Sequence, residues 1–320
     1  MKISKDYYRG CLLGGVVGDA EGYGVYEGEK KLISDNSQLT FFTVDGLIWA
    51  DHKANKRGVY AYIPCLFYSY QKWLYTQTGS FADKNYDFLF PSEILECEEL
   101  FARRGVGNTS LESLAGSING KYGTIKNRIN NSKSCGAVMR AAPIGMYFCK
   151  DSKEAYNMGC QGGAITHGNP KGFLPAGFLA YIISDILKGE DIESSAMGAL
   201  AELKKDDEKG EIYAILKKAI LLAKSDTDCQ TAMEQLGTGW IGSEAMALAL
   251  YCSLKFENDF EMAINVASHY SGNKDTISSI CGNLLGAHLG SLEIPYKWVH
   301  ETELTYFAVT GADKLLNTVK

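Results

Sequence analysis

Apolar residues recur at intervals of three and four along most of this chain, while runs of alternating β-branched residues are scarce. That pattern predicts an all-α protein. Leu39, Phe42, Gly46 and Trp49 share one helical face, and Ile277, Ile280, Leu284 and Ala287 share another. Short oxygen-bearing side chains precede both runs. Ser34 is placed to cap the first, and Asn273 or Asp275 the second. Near the amino end Gly10, Gly14, Gly18 and Gly22 form a stripe at intervals of four. Ser278, Gly282, Gly286 and Gly290 repeat the stripe near the carboxyl end. Glycine within a helix costs roughly 1 kcal/mol against alanine, so paired stripes imply close backbone approach and predict that the two helices pack on each other or around one center. Loops are expected at 53–57, 76–86 and 204–210. None has the length or bias of a linker, so residues 1–320 read as a single domain.

Composition narrows the class. A hydrophobic fraction of 46% and a charged fraction of 22% are those of a globular protein rather than a disordered or fibrous one. The net charge of -6 argues against nucleic acid as the main partner. Glycines and Asp19 interrupt the apolar run at the start, and no stretch reaches membrane length, so neither a signal peptide nor a membrane span is expected. The nine cysteines show no paired spacing. Cys11, Cys65, Cys135, Cys160, Cys252 and Cys281 lie in apolar or glycine-rich surroundings and read as reduced, buried thiols. A cytoplasmic protein follows as the expectation, with signal-independent export left open.

Four polar segments interrupt the apolar pattern, at 34–37, 134–143, 165–170 and 273–276. Each has a purely structural explanation. Ser34-Asp35-Asn36-Ser37 and Asn273-Lys274-Asp275-Thr276 suit helix starts, yet together they also supply the oxygen ligands that magnesium takes. In the small-residue run Ser134-Cys135-Gly136-Ala137-Val138-Met139-Arg140, the glycine would let a ligand approach the backbone. Arg140 would hold a phosphate or, on the stronger reading, pair with a nearby acid. His167, in a turn-forming run, would contact substrate, move a proton, or tie two loops together. The Walker loop, the Rossmann glycine pattern, the G-x-S-x-G elbow and zinc-ligand spacings are all missing.

In order and context these segments resemble the ADP-ribosylglycohydrolases, including the dinitrogenase reductase-activating glycohydrolase type. Gly18-Asp19-Ala20-Glu21-Gly22 is similar to the family's G-D-A-x-G segment, and Ser34-Asp35-Asn36-Ser37-Gln38-Leu39 to its S/T-D-D-T-Q-M element. Ser134 to Pro143 resembles G-x-x-M-R-x-x-P, and Thr166-His167-Gly168-Asn169-Pro170 resembles T-H-x-x-P. Gly239-Trp240-Ile241-Gly242-Ser243-Glu244-Ala245 resembles the G-W-x-x-E-A segment of bacterial members. Gly272-Asn273-Lys274-Asp275-Thr276 resembles G-D-x-D-[ST].

The resemblance implies an all-α helical bundle with a central cleft, in which two magnesium ions orient ADP-ribose and water for hydrolysis at the anomeric carbon of the ribose. It places the metal ligands at Ser34, Asp35, Asn36, Asn273, Asp275 and Thr276. Asp35 and Asp275 would be the catalytic pair, and Asn36, Asn273, Ser134, Cys135, Gly136, Met139 and His167 the substrate contacts. The sequence departs from the pattern where it matters. Asn36 and Asn273 stand where the family has aspartate, and the upstream glutamate position is Tyr26, with Glu27 one place late. Magnesium needs carboxylates to compete with its water shell, so one ion or none is expected. Two functions follow: a hydrolase acting on an ADP-ribose-containing ligand or an ADP-ribosylated protein, or a pseudoenzyme retained for sensing a ligand or binding a protein such as an ADP-ribosylating toxin. A helical protein without a ligand is the remaining class.

Overall fold

Helix accounts for 69% of the computed structural model, which describes residues 3–319. Fifteen α-helices follow one another among those residues. The first nine are α1 (Lys5–Tyr23), α2 (Asp35–Arg57), α3 (Tyr62–Thr78), α4 (Asn108–Ala115), α5 (Ala142–Tyr147), α6 (Ser152–Ala164), α7 (Pro170–Lys188), α8 (Ile192–Leu203) and α9 (Glu211–Ala223). Then come α10 (Cys229–Glu234), α11 (Gly242–Lys255), α12 (Phe260–Ser268), α13 (Lys274–Leu289), α14 (Tyr296–Glu301) and α15 (Thr305–Val319). Strand is confined, among the described residues, to the antiparallel pair β1 (Tyr26–Glu27) and β2 (Lys30–Lys31). The all-α expectation holds.

The paired glycine stripes meet face to face. A methyl group built on Gly286 would lie 1.9 Å from the Gly10 carbonyl oxygen, and one on Gly282 would lie 2.0 Å from that of Gly14. Further along, a methyl on Gly18 would lie 2.2 Å from the Ser278 carbonyl oxygen, and one on Gly22 would lie 2.6 Å from the backbone of Asp275. At these glycine positions no side chain larger than hydrogen fits the seam. Its consequence is positional: with nothing between the backbones, the carboxyl end of α1 lies against the amino end of α13, bringing Asp19 and Asp275 into electrostatic reach of each other.

Two expected loops differ from the structure. Residues 53–57 continue α2, because Lys56 and Arg57 suit the negative end of the helix dipole and Gly58 supplies the left-handed residue that stops it. Residues 76–86 belong partly to α3, which runs to Thr78 and ends on Gly79; residues 204–210 are irregular, as expected. Ser34 caps α2 by accepting the Asn36 N–H. Asn273 sits at the start of α13, where its side chain makes no cap. All six cysteines assigned to the interior are buried and unpaired.

Candidate functional site

Asp19 lies on α1 with no exposed surface, and it accepts hydrogen bonds from the start of α2. Ser34 donates its backbone N–H at 2.9 Å and its hydroxyl at 2.6 Å. The Ser37 N–H donates at 3.1 Å, joined by the Ser37 hydroxyl, and Asn36 Nδ2 adds a contact at 3.1 Å. A charged acceptor at the positive end of α2 is the arrangement the helix dipole favours. From Asn36 the network crosses to α13. Thr276 Oγ1 donates to Asn36 Oδ1 at 3.0 Å, and Asn273 Nδ2 donates to Thr276 Oγ1 at 3.2 Å and to Cys135 Sγ at 2.9 Å.

Above this network opens a cleft of about 400 Å³. Asp35, Asn273, Asp275 and Thr276 line its floor, and Ser134, Cys135, Gly136, Met139 and His167 line one wall. Lys274 and Gly272 stand at the edge with Tyr23 and Trp240. The structure therefore brings together every nominated site residue except Ser34 and Asn36, which lie beneath the floor and face Asp19. Asp35 takes the Gly107 N–H through Oδ2 at 3.0 Å, and Asp275 takes the Thr276 N–H through Oδ1 at 2.8 Å. Glu27 is exposed on the small hairpin and does not line the cleft. A wider groove of about 840 Å³ lies between residues 125–133 and 205–212; Lys171 there is paired with Glu211, and it contains none of the carboxylates at issue.

Beside the floor runs a second, directional chain. Arg140 donates to Thr166 Oγ1 at 2.7 Å, Thr166 Oγ1 lies 2.8 Å from His167 Nδ1, and His167 Nε2 lies 2.9 Å from Ser134 Oγ. Arg140 can only donate, so Thr166 Oγ1 accepts from it, and the His167 ring is held between the Thr166 and Ser134 hydroxyls. Burial, followed by the Arg140 charge, pushes His167 down to about 3. The imidazole is neutral. The ion pair expected for Arg140 is not formed: its guanidinium lies 4.1 Å from the Tyr70 ring centroid, and Nε and Nη1 have no hydrogen-bond partner. Cation–π contact with a buried ring takes the place of an acid.

The three acids carry the cost of burial. Asp35 is pushed up to about 8, chiefly by desolvation and against the pull of the Gly107 N–H; Asp19 and Asp275 add to the rise. Asp19 rises to about 6 for the same leading reason, with Ser34, Ser37 and Asn36 pulling it back. Desolvation raises Asp275 as well. Burial takes the Cys135 thiol to about 12, which leaves it an inert lining group.

The comparisons bear on this arrangement. The ADP-ribosylglycohydrolase pattern matches residues 2–319. The chain belongs to the ADP-ribosylglycohydrolase family. An uncharacterized protein of Archaeoglobus fulgidus is 25% identical over 317 residues, covering 97% of this chain and 96% of its own. ADP-ribosylhydrolase ARH3 of Homo sapiens, and that of Bos taurus, are each 23% identical over 196 residues, covering 52% of this chain and 53% of theirs. Among solved structures, an ADP-ribosylglycohydrolase-related protein complex superposes with a TM-score of 0.64 at 18% identity, covering both chains completely, which establishes the fold. No helix among the described residues is long and apolar enough to cross a membrane.

ADP-ribosylglycohydrolases are generally metal-dependent, and the residues here do not fit a two-ion center. The Ser34 hydroxyl donates to Asp19 and accepts from both nitrogens of Asn36. Asn36 Oδ1 is engaged by Thr276. Among the described residues no group of three or more His, Cys, Asp or Glu side chains is arranged to hold an ion. Asp35 and Asp275 remain as the carboxylates on the floor.

Sequence reasoning gave no role to Asp19, whose signal was an acid set within the glycine stripe of an apolar helix. It also passed over residues 105–110, of which Gly105, Gly107, Asn108, Thr109 and Ser110 line the cleft, Thr109 Oγ1 lying 3.4 Å from Ser134 Oγ. Trp240 was quoted only as part of a motif, and its ring is 62% exposed at the mouth. The loop carrying it is fixed: Gly239 has φ +83, and Glu244 Oε2 takes the N–H groups of Thr238 and Gly239 at 3.0 and 3.2 Å.

Proposed function

We propose that this protein binds the ADP-ribosyl group of a small conjugate or an ADP-ribosylated protein in the cleft above Asp35 and Asp275, and that it does so as a ligand-binding member of its family without a two-ion center. One observation carries the reading. The family's motifs converge on a cleft of ligand size, while the side chains at two of its ligand positions, Ser34 and Asn36, are consumed by Asp19 beneath the floor. Within the cleft, Asn273, Ser134 and the backbone at Gly136 would contact ribose and phosphate oxygens. Met139 and the exposed Trp240 ring would cover apolar and planar surface. The whole chain would act as one domain. The free, largely buried cysteines support a cytoplasmic setting.

A second reading, hydrolysis of the ribosyl bond, is favoured by Asp35 and Asp275 both reaching the cleft. One experiment separates the two. Thermal shift and calorimetry with ADP-ribose in EDTA should show binding, and ADP-ribosylated protein incubated with the chain should release no ADP-ribose with or without Mg2+. Release that depends on Mg2+ and is lost in Asp275→Ala would establish the hydrolase, and no binding under either condition would remove both readings.

A further inference from the structure

Beneath the cleft, each polar atom can be assigned a direction. Ser34 Oγ gives its one proton to Asp19 at 2.6 Å, and its two acceptor sites take Asn36 Nδ2 at 2.7 Å and the Asn36 backbone N–H at 3.1 Å. The Asn36 amide sends one Nδ2 hydrogen to Ser34 and the other to Asp19. Its carbonyl faces the other way and receives the Thr276 hydroxyl at 3.0 Å, across 240 residues of sequence. Position 36 therefore serves as a donor toward Asp19 and as an acceptor for Thr276, on one small planar group that also meets the Asp275 carboxylate. Asparagine meets both demands. An aspartate would turn an acceptor toward Asp19 and Ser34, where donors are required, and would add a fourth carboxylate beside Asp19, Asp35 and Asp275.

Asn273 repeats the logic on the opposite side. Its Nδ2 is directed at three acceptors, Cys135 Sγ, the Gly239 carbonyl oxygen and Thr276 Oγ1, at 2.9, 3.3 and 3.2 Å. Aspartate there would set an oxygen against the Gly239 carbonyl and would draw the Thr276 proton away from Asn36. Together the two amides link α1, α2 and α13 with the Cys135 segment and the Trp240 loop.

We infer that Asn36, supported by Asn273, is the fastening of this site in place of a divalent cation, so that the cleft is built and held by amide and hydroxyl hydrogen bonds in the absence of metal. No ligand enters the argument, and it can fail or stand independently of ADP-ribose binding.

The test is thermal unfolding of the full chain in EDTA, millimolar Mg2+ and millimolar Mn2+, with calorimetric titration of the metals alone. The wild-type midpoint should be the same in all three, with no binding heat. A cation-dependent rise of more than about 3 °C, or a metal Kd below the millimolar range, would overturn the inference. In EDTA, Asn36→Asp should lower the midpoint by about 5 °C or more, since an unpaired buried charge is strongly destabilising. Mg2+ or Mn2+ should restore most of that loss. A variant as stable as wild type in EDTA, or a folded variant indifferent to both metals, would overturn it equally. Should Asn36→Asp fail to fold, the wild-type titration decides by itself.

Discussion

His167 Nε2 lies 2.9 Å from Ser134 Oγ and Nδ1 lies 2.8 Å from Thr166 Oγ1, so a fully buried, neutral imidazole is held between two hydroxyls. Its folded-state value of about 3 lies below the ordinary histidine range. Between that value and about 6.5 the unfolded chain binds a proton that the native state does not. Stability is therefore lost as pH falls through this window, with a slope of up to about 1.4 kcal/mol per pH unit from this one group. Asp19 and Asp35, held above the carboxylate range, contribute with the opposite sign, so urea unfolding at intervals from pH 7 to pH 4 should show the His167 slope as the difference between wild type and His167→Gln. An unchanged slope in the variant would mean that His167 is not the group responsible.

Asp19 accepts from Ser34, Asn36 and Ser37 in a site closed to water. Asp19→Asn turns one acceptor into a donor facing those donors, leaving buried N–H or O–H groups without partners. A loss of about 3 kcal/mol or more is expected from chemical denaturation. A loss under 1 kcal/mol would show that Asp19 is not the hub of α2.

Gly286→Ala improves helix propensity by about 1 kcal/mol, yet its methyl would meet the Gly10 carbonyl oxygen at 1.9 Å. The seam must open, so a net loss of about 2 kcal/mol is expected by urea denaturation. A gain would mean that α1 and α13 can separate without cost.

Trp240 presents its ring at the mouth of the cleft on a loop pinned by Glu244. Stacking of a planar ligand group on an aromatic ring contributes about 1–3 kcal/mol, so Trp240→Ala should weaken ADP-ribose binding about fivefold to a hundredfold without lowering the melting midpoint. Calorimetry on the two proteins measures it, and equal affinities would take the ring out of the ligand's path.

What the sequence made legible was whatever survives as spacing. The glycine stripes imply their own partner, because small residues at intervals of four have no other structural use on two separate helices, and they meet as expected. Ser34 likewise announces the start of α2. The end of α2 was hidden, since the charged run at 53–57 looks like solvent-exposed loop until Gly58 is seen to cap it. The partners of Asp19 and Arg140 were hidden for a different reason. Asp19 takes its donors from residues 34–37, and Arg140 stacks on Tyr70, contacts fixed by packing rather than by any local pattern. The family motifs were readable, but the direction of each amide hydrogen was not, and that direction determines whether Asn36 faces the cleft or Asp19.

The seam between α1 and α13 also sets when the protein can acquire its site. One side of it is made from residues 5–23 and the other from residues 274–289. During synthesis the first helix leaves the ribosome with its glycine face and Asp19 lacking the surface they fit, and the start of α2 has no Thr276 to bind. Such long sequence separation slows folding and leaves intermediate lengths exposed to misassembly. A chain arrested before residue 274 lacks Asp275 and Thr276 from the floor of its cleft. The cleft thus takes its shape only once residues 274–289 are available to pack on residues 5–23.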